Sequence, residues 1–134
     1  MSTKIFVNLP VKDLSRSIDF FTKLGFSFNQ QFTDENATCM VITDDIYAML
    51  LVEKVFQSFT TKEVADATRT TEAIVALGLD RREQVDELAD KALANGGQPV
   101  KEPMDQDLMY GRSFQDPDGH IWEVFYLDPA AVQS

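Results

Sequence analysis

DPDGHIWEVFY, residues 116–126, decides the fold of this chain. Asp116-Pro117-Asp118-Gly119 predicts a tight turn, because proline fixes φ and glycine supplies a positive one. The residues after it predict a strand with clean alternation. Ile121, Glu123, Phe125 and Leu127 share one face, while His120, Trp122, Val124 and Tyr126 share the other. A carboxylate therefore stands in the middle of an Ile–Phe–Leu face. Burying such a group without a partner is costly, so it either pairs, takes up a proton or serves chemistry. On the opposite face, Trp122 is expected under a helix, its indole N–H needing an acceptor.

Working outward, the chain reads twice through one pattern. KIFVNLPV (4–11) is strand-like. Asp13 then caps a helix on which Leu14, Ile18 and Phe21 recur at helical spacing, and Gly25 ends it. FSFNQQF (26–32), TCMVI (38–42) and IYAMLLVE (46–53) follow as strands. In the second half EAIVALGL (72–79) is a strand, and Asp80 with Glu83 fits a capping box. Val85, Leu88, Ala89, Ala92 and Leu93 line a helix that Asn95-Gly96-Gly97 ends. Strands are predicted around Gln98–Lys101, Leu108–Gln115 and His120–Leu127. Val7, Leu9 and Val11 recur as Val75, Leu77 and Leu79, offset by about 68 residues. Each half is thus β-α-β-β-β. A single domain over 1–134 is expected, with module one at about 1–53, a connector at 54–71 and module two at 72–134. Thr60 and Glu63 suggest a short helix in the connector, whose Phe56 and Phe59 either finish the core or form a lid. The fold class is α+β. Two βαβββ modules supply curved mixed sheets that, facing each other, enclose a cavity.

Composition excludes several functions. The formal net charge is −10, with no basic cluster, which disfavours nucleic acid and anionic lipid. No apolar run approaches the roughly 20 residues that cross a bilayer. MSTKIFVNLP lacks the layout of a signal peptide, so a cytoplasmic chain is expected. Cys39, the one cysteine, lies in an apolar strand and reads as a small buried hydrophobe. His120 is the single histidine, too few for a three-His zinc site or a 2-His-1-carboxylate iron site. It follows the turn glycine at a strand mouth, and an exposed or edge-packed role is expected. No GxSxG elbow is present.

The stretches LPVKDLSRSIDFFTKLGFSF (9–28), ALGLDRREQVDELADKALANGG (76–97) and FQDPDGHIWEVFY (114–126) resemble the vicinal oxygen chelate superfamily. That superfamily takes in glyoxalase I, extradiol dioxygenases, fosfomycin-resistance transferases and bleomycin-binding proteins. The resemblance implies the paired-module fold, a small-molecule ligand and frequent pairing of two chains into a homodimer. In metal-using members it implies four inward ligands, two from each half. Carried over one position at a time, these fall on Phe6, Leu51, Ile74 and Glu123. Three of the four are hydrocarbon, without lone pairs for a hard cation. Glu53, two residues beyond Leu51, is the alternative second oxygen ligand beside Glu123. No conventional metal centre and no other cofactor is expected, a divalent ion on Glu123 and Glu53 being the alternative.

Glu123 is accordingly the candidate catalytic residue, a general base on a small substrate or a hydrogen-bonding handle for it. Its alternative is pairing with Arg112, Tyr110 or a backbone donor. Phe6, Asn8, Met49, Leu51, Glu53, Ile74, Tyr110 and Arg112 are the candidate ligand-binding residues. Three functions stay open. The first is a glyoxalase-like protein binding a small organic molecule, with isomerase- or lyase-type chemistry and no conventional metal. The second is a bleomycin-resistance-type protein that sequesters a toxic compound, its aromatic surface drawn from Phe56, Phe59 and Tyr110. The third is a metal-dependent lyase of the lactoylglutathione kind.

Overall fold

Asp13 starts the first helix as anticipated: its carboxylate accepts from the Arg16 N–H at 3.1 Å, meeting one of the orphan donors of the first turn. In the computed structural model, which describes residues 3–132, this helix, α1 (Leu14–Lys23), buries Leu14, Ser17, Phe20 and Phe21. The expected 1–134 span includes residues 1, 2, 133 and 134, which lie outside the described residues. Contacts divide the chain into two compact units, Met1–Asp66 and Ala67–Ser134. Most of the expected connector therefore belongs to the first unit.

In the first unit α1 is followed by β2 (Ser27–Asn29), β3 (Ala37–Val41) and β4 (Ile46–Val52), and preceded by β1 (Ile5–Val11). The sheet order is β1-β4-β3-β2, with β1 parallel to β4 and the remaining pairs antiparallel. One face packs on α1 through Met40, Ala48 and Leu50, all fully buried. The other face carries Phe6, Asn8, Tyr47, Met49, Leu51 and Cys39. The predicted strand at 26–32 stops at Asn29. There the Asn29 side chain accepts from the Gln31 N–H at 3.0 Å and turns the chain into a short 3₁₀ segment, Gln30–Phe32. The predicted strand at 46–53 likewise stops at Val52, and Glu53 opens a short helix, α2 (Glu53–Gln57). This helix lies earlier than the expected one. Thr60 caps no helix; its hydroxyl accepts from the Lys62 N–H in a local turn.

The second unit contains β5 (Ile74–Leu79), α3 (Arg82–Ala94), β6 (Gln98–Pro99), β7 (Met104–Gln106), β8 (Met109–Gln115) and β9 (Ile121–Leu127). The order is β5-β9-β8-β6, with β7 also paired to β8. The strand expected around Gln98–Lys101 stops at Pro99, and a further short strand, β7, follows Pro103; neither proline can donate to a ladder. The capping box is shifted by one residue. Arg81 is the N-cap, and the Gln84 side-chain oxygen, rather than Glu83, accepts from the Asp80 and Arg81 N–H groups, both at 3.0 Å.

The two expected α+β modules with mixed sheets are present, the second with an additional short strand. Among the described residues no helix is long and apolar enough to cross a membrane.

Candidate functional site

The 116–126 stretch forms a hairpin as its sequence dictates. Asp116 N–H donates to the His120 carbonyl at 3.0 Å, and Gly119 N–H to the Asp116 carbonyl at 2.9 Å. Gly119 has φ +90°, and a Cβ there would stand 2.8 Å from the Ala67 carbonyl oxygen, so glycine is required twice over. The Asp116 carboxylate, 4% exposed, accepts from Asp118 N–H at 2.9 Å and His120 N–H at 3.1 Å. Its second oxygen accepts from the Trp122 indole at 3.0 Å. That is the acceptor Trp122 needed, and the ring is wholly buried on the α3 side of the sheet.

From this turn the pairing runs back without a bulge: Gln115 opposite Ile121, Ser113 opposite Glu123, Arg112 opposite Val124, Gly111 opposite Phe125 and Met109 opposite Leu127. Cross-strand partners share a face. Glu123 therefore stands with Ser113, Gly111, Met109 and Phe125, and with Ala76 and Ile74 from β5. On this open face lies a cavity of about 170 Å³, lined chiefly by Lys101, Met104, Met109, Gly111, Glu123 and Phe125. Phe125 fits there because Gly78 and Gly111 beside it have no side chains; a Cβ at Gly78 would come within 3.3 Å of the ring.

Glu123 is not an unpaired buried carboxylate. It is 33% exposed, and its Oε2 pairs with Lys101 Nζ at 3.4 Å. Lys101 was not among the sequence candidates, nor was it predicted as the partner. The nearby Ser113 hydroxyl is buried and, among the described residues, has no hydrogen-bond partner.

Tyr110 and Arg112 are the main corrections. Both lie on the opposite face, toward α3. Tyr110 donates to Asp86 at 2.6 Å, and Arg112 Nη1 to Asp86 at 2.9 Å and Asp90 at 2.8 Å. Arg82 completes the network, 4.1 Å over the Tyr110 ring and 2.8 Å from Asp105. Arg112 borders the cavity, but its guanidinium is held by the helix and offers nothing to a ligand there. The Tyr110 hydroxyl holds the Asp86 carboxyl below its ordinary range, helped by Arg112, and Asp86 in turn raises the Tyr110 phenol.

The signs follow. A lowered carboxyl stabilises fully above its unfolded value near 3.8 and loses this as pH falls through the folded value. A raised phenol stabilises fully below its unfolded value near 10.0 and loses this as pH rises toward the folded value. Tyr110→Phe is therefore expected to flatten both limbs of the stability–pH curve, acid and alkaline, in urea unfolding across pH. An unchanged profile would show that this network does not couple protons to folding.

The candidates from the first unit, Glu53 apart, stand on its own sheet. Phe6 stacks on Tyr47, centroids 4.8 Å apart, and Asn8 donates to the Phe6 carbonyl at 3.3 Å. Met49 lies opposite Asn8 and Cys39 in the register. Leu51 is buried on the same face. Glu53 breaks from the strand alternation and is exposed on α2, so it does not share a face with Leu51. Ile74 shares the Glu123 face but is half exposed outside the cavity. Phe59 is 72% exposed and completes no core. Cys39 is buried, and burial pushes its thiol above the ordinary value, as suits an inert hydrophobe.

The model of the Glyoxalase/Bleomycin resistance protein/Dioxygenase superfamily matches residues 5–124. The chain belongs to this superfamily. No curated protein matches it. Among solved structures, a hypothetical protein from S. aureus is 30% identical, with a TM-score of 0.78 and 94% of each chain covered. A glyoxalase/bleomycin resistance protein/dioxygenase family enzyme from Burkholderia phytofirmans is 15% identical, with a TM-score of 0.76, covering 94% of this chain and 99% of that one. A fosfomycin resistance protein from Mesorhizobium loti is 14% identical, with a TM-score of 0.69, covering 98% and 97%. The last two share the fold. The positions to which the resemblance carries metal ligands hold the hydrocarbon side chains of Phe6, Leu51 and Ile74 and the carboxylate of Glu123, while Glu53 lies on α2 and not on β4.

Proposed function

We propose that this superfamily member binds a small organic molecule with an apolar body in the cavity on the open face of its second unit, without a tightly held metal. One observation carries this: a carboxylate, Glu123, set in the wall of a hollow lined mainly by methionine, phenylalanine, valine and glycine, with Lys101 beside it and Arg112 at its border. Such a mixture of apolar lining and a few convergent polar groups is what small-molecule sites share. Glu123 orients the ligand by accepting a hydrogen bond. Where a reaction follows, it is proton transfer of the isomerase or lyase kind with Glu123 as the base. A cytoplasmic homodimer belongs to the same reading, its pairing supported by the resemblance to chains that pair.

The sequestration alternative is weaker. Of its three aromatics, Tyr110 faces α3 with its hydroxyl held by Asp86.

The reading is tested by following the methyl signals of Met104 and Met109 while neutral apolar molecules of benzene size are added. Shifts at Met104 and Met109 are expected; shifts confined to other methionines would overturn it. Elemental analysis of protein purified without chelator is expected to find no stoichiometric divalent ion, and one ion per chain would refute the metal-free part.

A further inference from the structure

We propose that the ligand is a zwitterion: a free α-amino acid with an apolar side chain of leucine, methionine or phenylalanine size. This rests on the cavity described above being the binding site. It adds the chemical class, from the charges that meet there.

The three cations in this part of the second unit are used differently. Arg112 is held by two carboxylates at 2.8 and 2.9 Å. Arg82 lies 2.8 Å from Asp105. Lys101 and Glu123 are 3.4 Å apart, longer than a charge-assisted hydrogen bond of about 2.7–2.9 Å. An ammonium has three donors and a carboxylate about four acceptor sites. One loose contact leaves both groups with capacity to spare, and both keep access to solvent.

Charge then selects the guest. A simple carboxylic acid bound to Lys101 takes the counter-ion from Glu123, which stands among Ile121, Phe125 and Met109. A simple amine bound to Glu123 displaces Lys101 in the same way. A molecule carrying both charges on neighbouring atoms restores both pairs at once, its carboxylate on Lys101 and its ammonium on Glu123. The apolar side chain then enters the hollow between Met104, Met109 and Phe125. At about 170 Å³ this hollow is comparable to the engineered cavity of about 150 Å³ that takes up benzene, so an isobutyl or phenyl group fits.

Four probes of one shape test the inference by calorimetry, with the Met104 and Met109 methyl signals marking the site. They are L-leucine, 4-methylpentanoate, which lacks the ammonium, 3-methylbutylamine, which lacks the carboxylate, and 3-methyl-1-butanol, which lacks both charges. Leucine is expected to bind at least about tenfold more tightly than either singly charged probe, as one lost charge-assisted hydrogen bond implies. Lys101→Gln should bring leucine down to the level of the amine, and Glu123→Gln to that of the acid. Both side chains are partly exposed, so neither variant threatens folding. The zwitterion inference is overturned if 4-methylpentanoate or the amine matches leucine. It is also overturned if the alcohol alone enters the cavity, in which case the small-molecule reading stands. If no probe moves Met104 or Met109, both fall.

Discussion

Asp116→Ala is expected to lower the stability of the fold by about 3–5 kcal/mol, read as a lower urea midpoint followed by Trp122 fluorescence. The mechanism is orphaned donors. One carboxylate, 4% exposed, satisfies two backbone N–H groups and the indole N–H of a wholly buried tryptophan. Each donor left without an acceptor away from water costs about 1–3 kcal/mol, and the three are not additive. Asp116→Asn separates the contributions. Its one oxygen still serves Asp118 and His120, while its amide nitrogen faces the indole N–H, so a smaller loss of about 1–2 kcal/mol is expected. The carboxyl itself is pushed above its ordinary value by burial, against the pull of His120 and the Trp122 hydrogen bond. A raised carboxyl binds its proton more tightly folded than unfolded, so its ionisation removes stability as pH rises through the folded value. An Asp116→Ala protein with the parent midpoint would show that the turn is held by Pro117 and Gly119 alone.

This turn also explains how much was legible beforehand. Two-residue alternation after Gly119 is a local property, and it placed Glu123 and Trp122 on opposite faces, as found. Helix α1 was readable because Asp13 and Gly25 are local signals. The cap of α3 was not, since Arg81 has no capping side chain and the interaction comes from Gln84 reaching back. Arg112 could have been assigned by counting pairs back from the turn: with Gln115 opposite Ile121, it falls opposite Val124, on the helix face. Lys101 had no such signal. It lies between two prolines in a stretch without periodicity, and only the pairing of β6 and β7 with β8 brings it to Glu123. Glu53 was misplaced because an unbroken apolar pattern, IYAMLLV, gave no mark of where the strand would end.

Glu123→Leu should have the opposite sign on stability and the larger effect on binding. On its face it has Ile121 and Phe125 along the strand, Ala76 and Ser113 on either side and Met109 further on, so leucine continues a mostly hydrocarbon surface. The pair it removes is long and partly exposed, and such pairs contribute about 0–1 kcal/mol. Lys101, 52% exposed, is left in contact with water rather than stranded. The variant is therefore expected to unfold at the parent urea concentration or above it, by up to about 1 kcal/mol. Ligand affinity should fall roughly ten- to hundredfold, the equivalent of a charge-assisted hydrogen bond of about 1.5–3 kcal/mol. A residue whose removal leaves the fold at least as stable while weakening binding is present for the ligand. A carboxylate kept for architecture behaves as Asp116 does, and loses stability when removed. If Glu123→Leu destabilises the chain by 2 kcal/mol or more while ligand affinity is unchanged, Glu123 is a structural group like Asp116, and the binding site must be sought elsewhere on the chain.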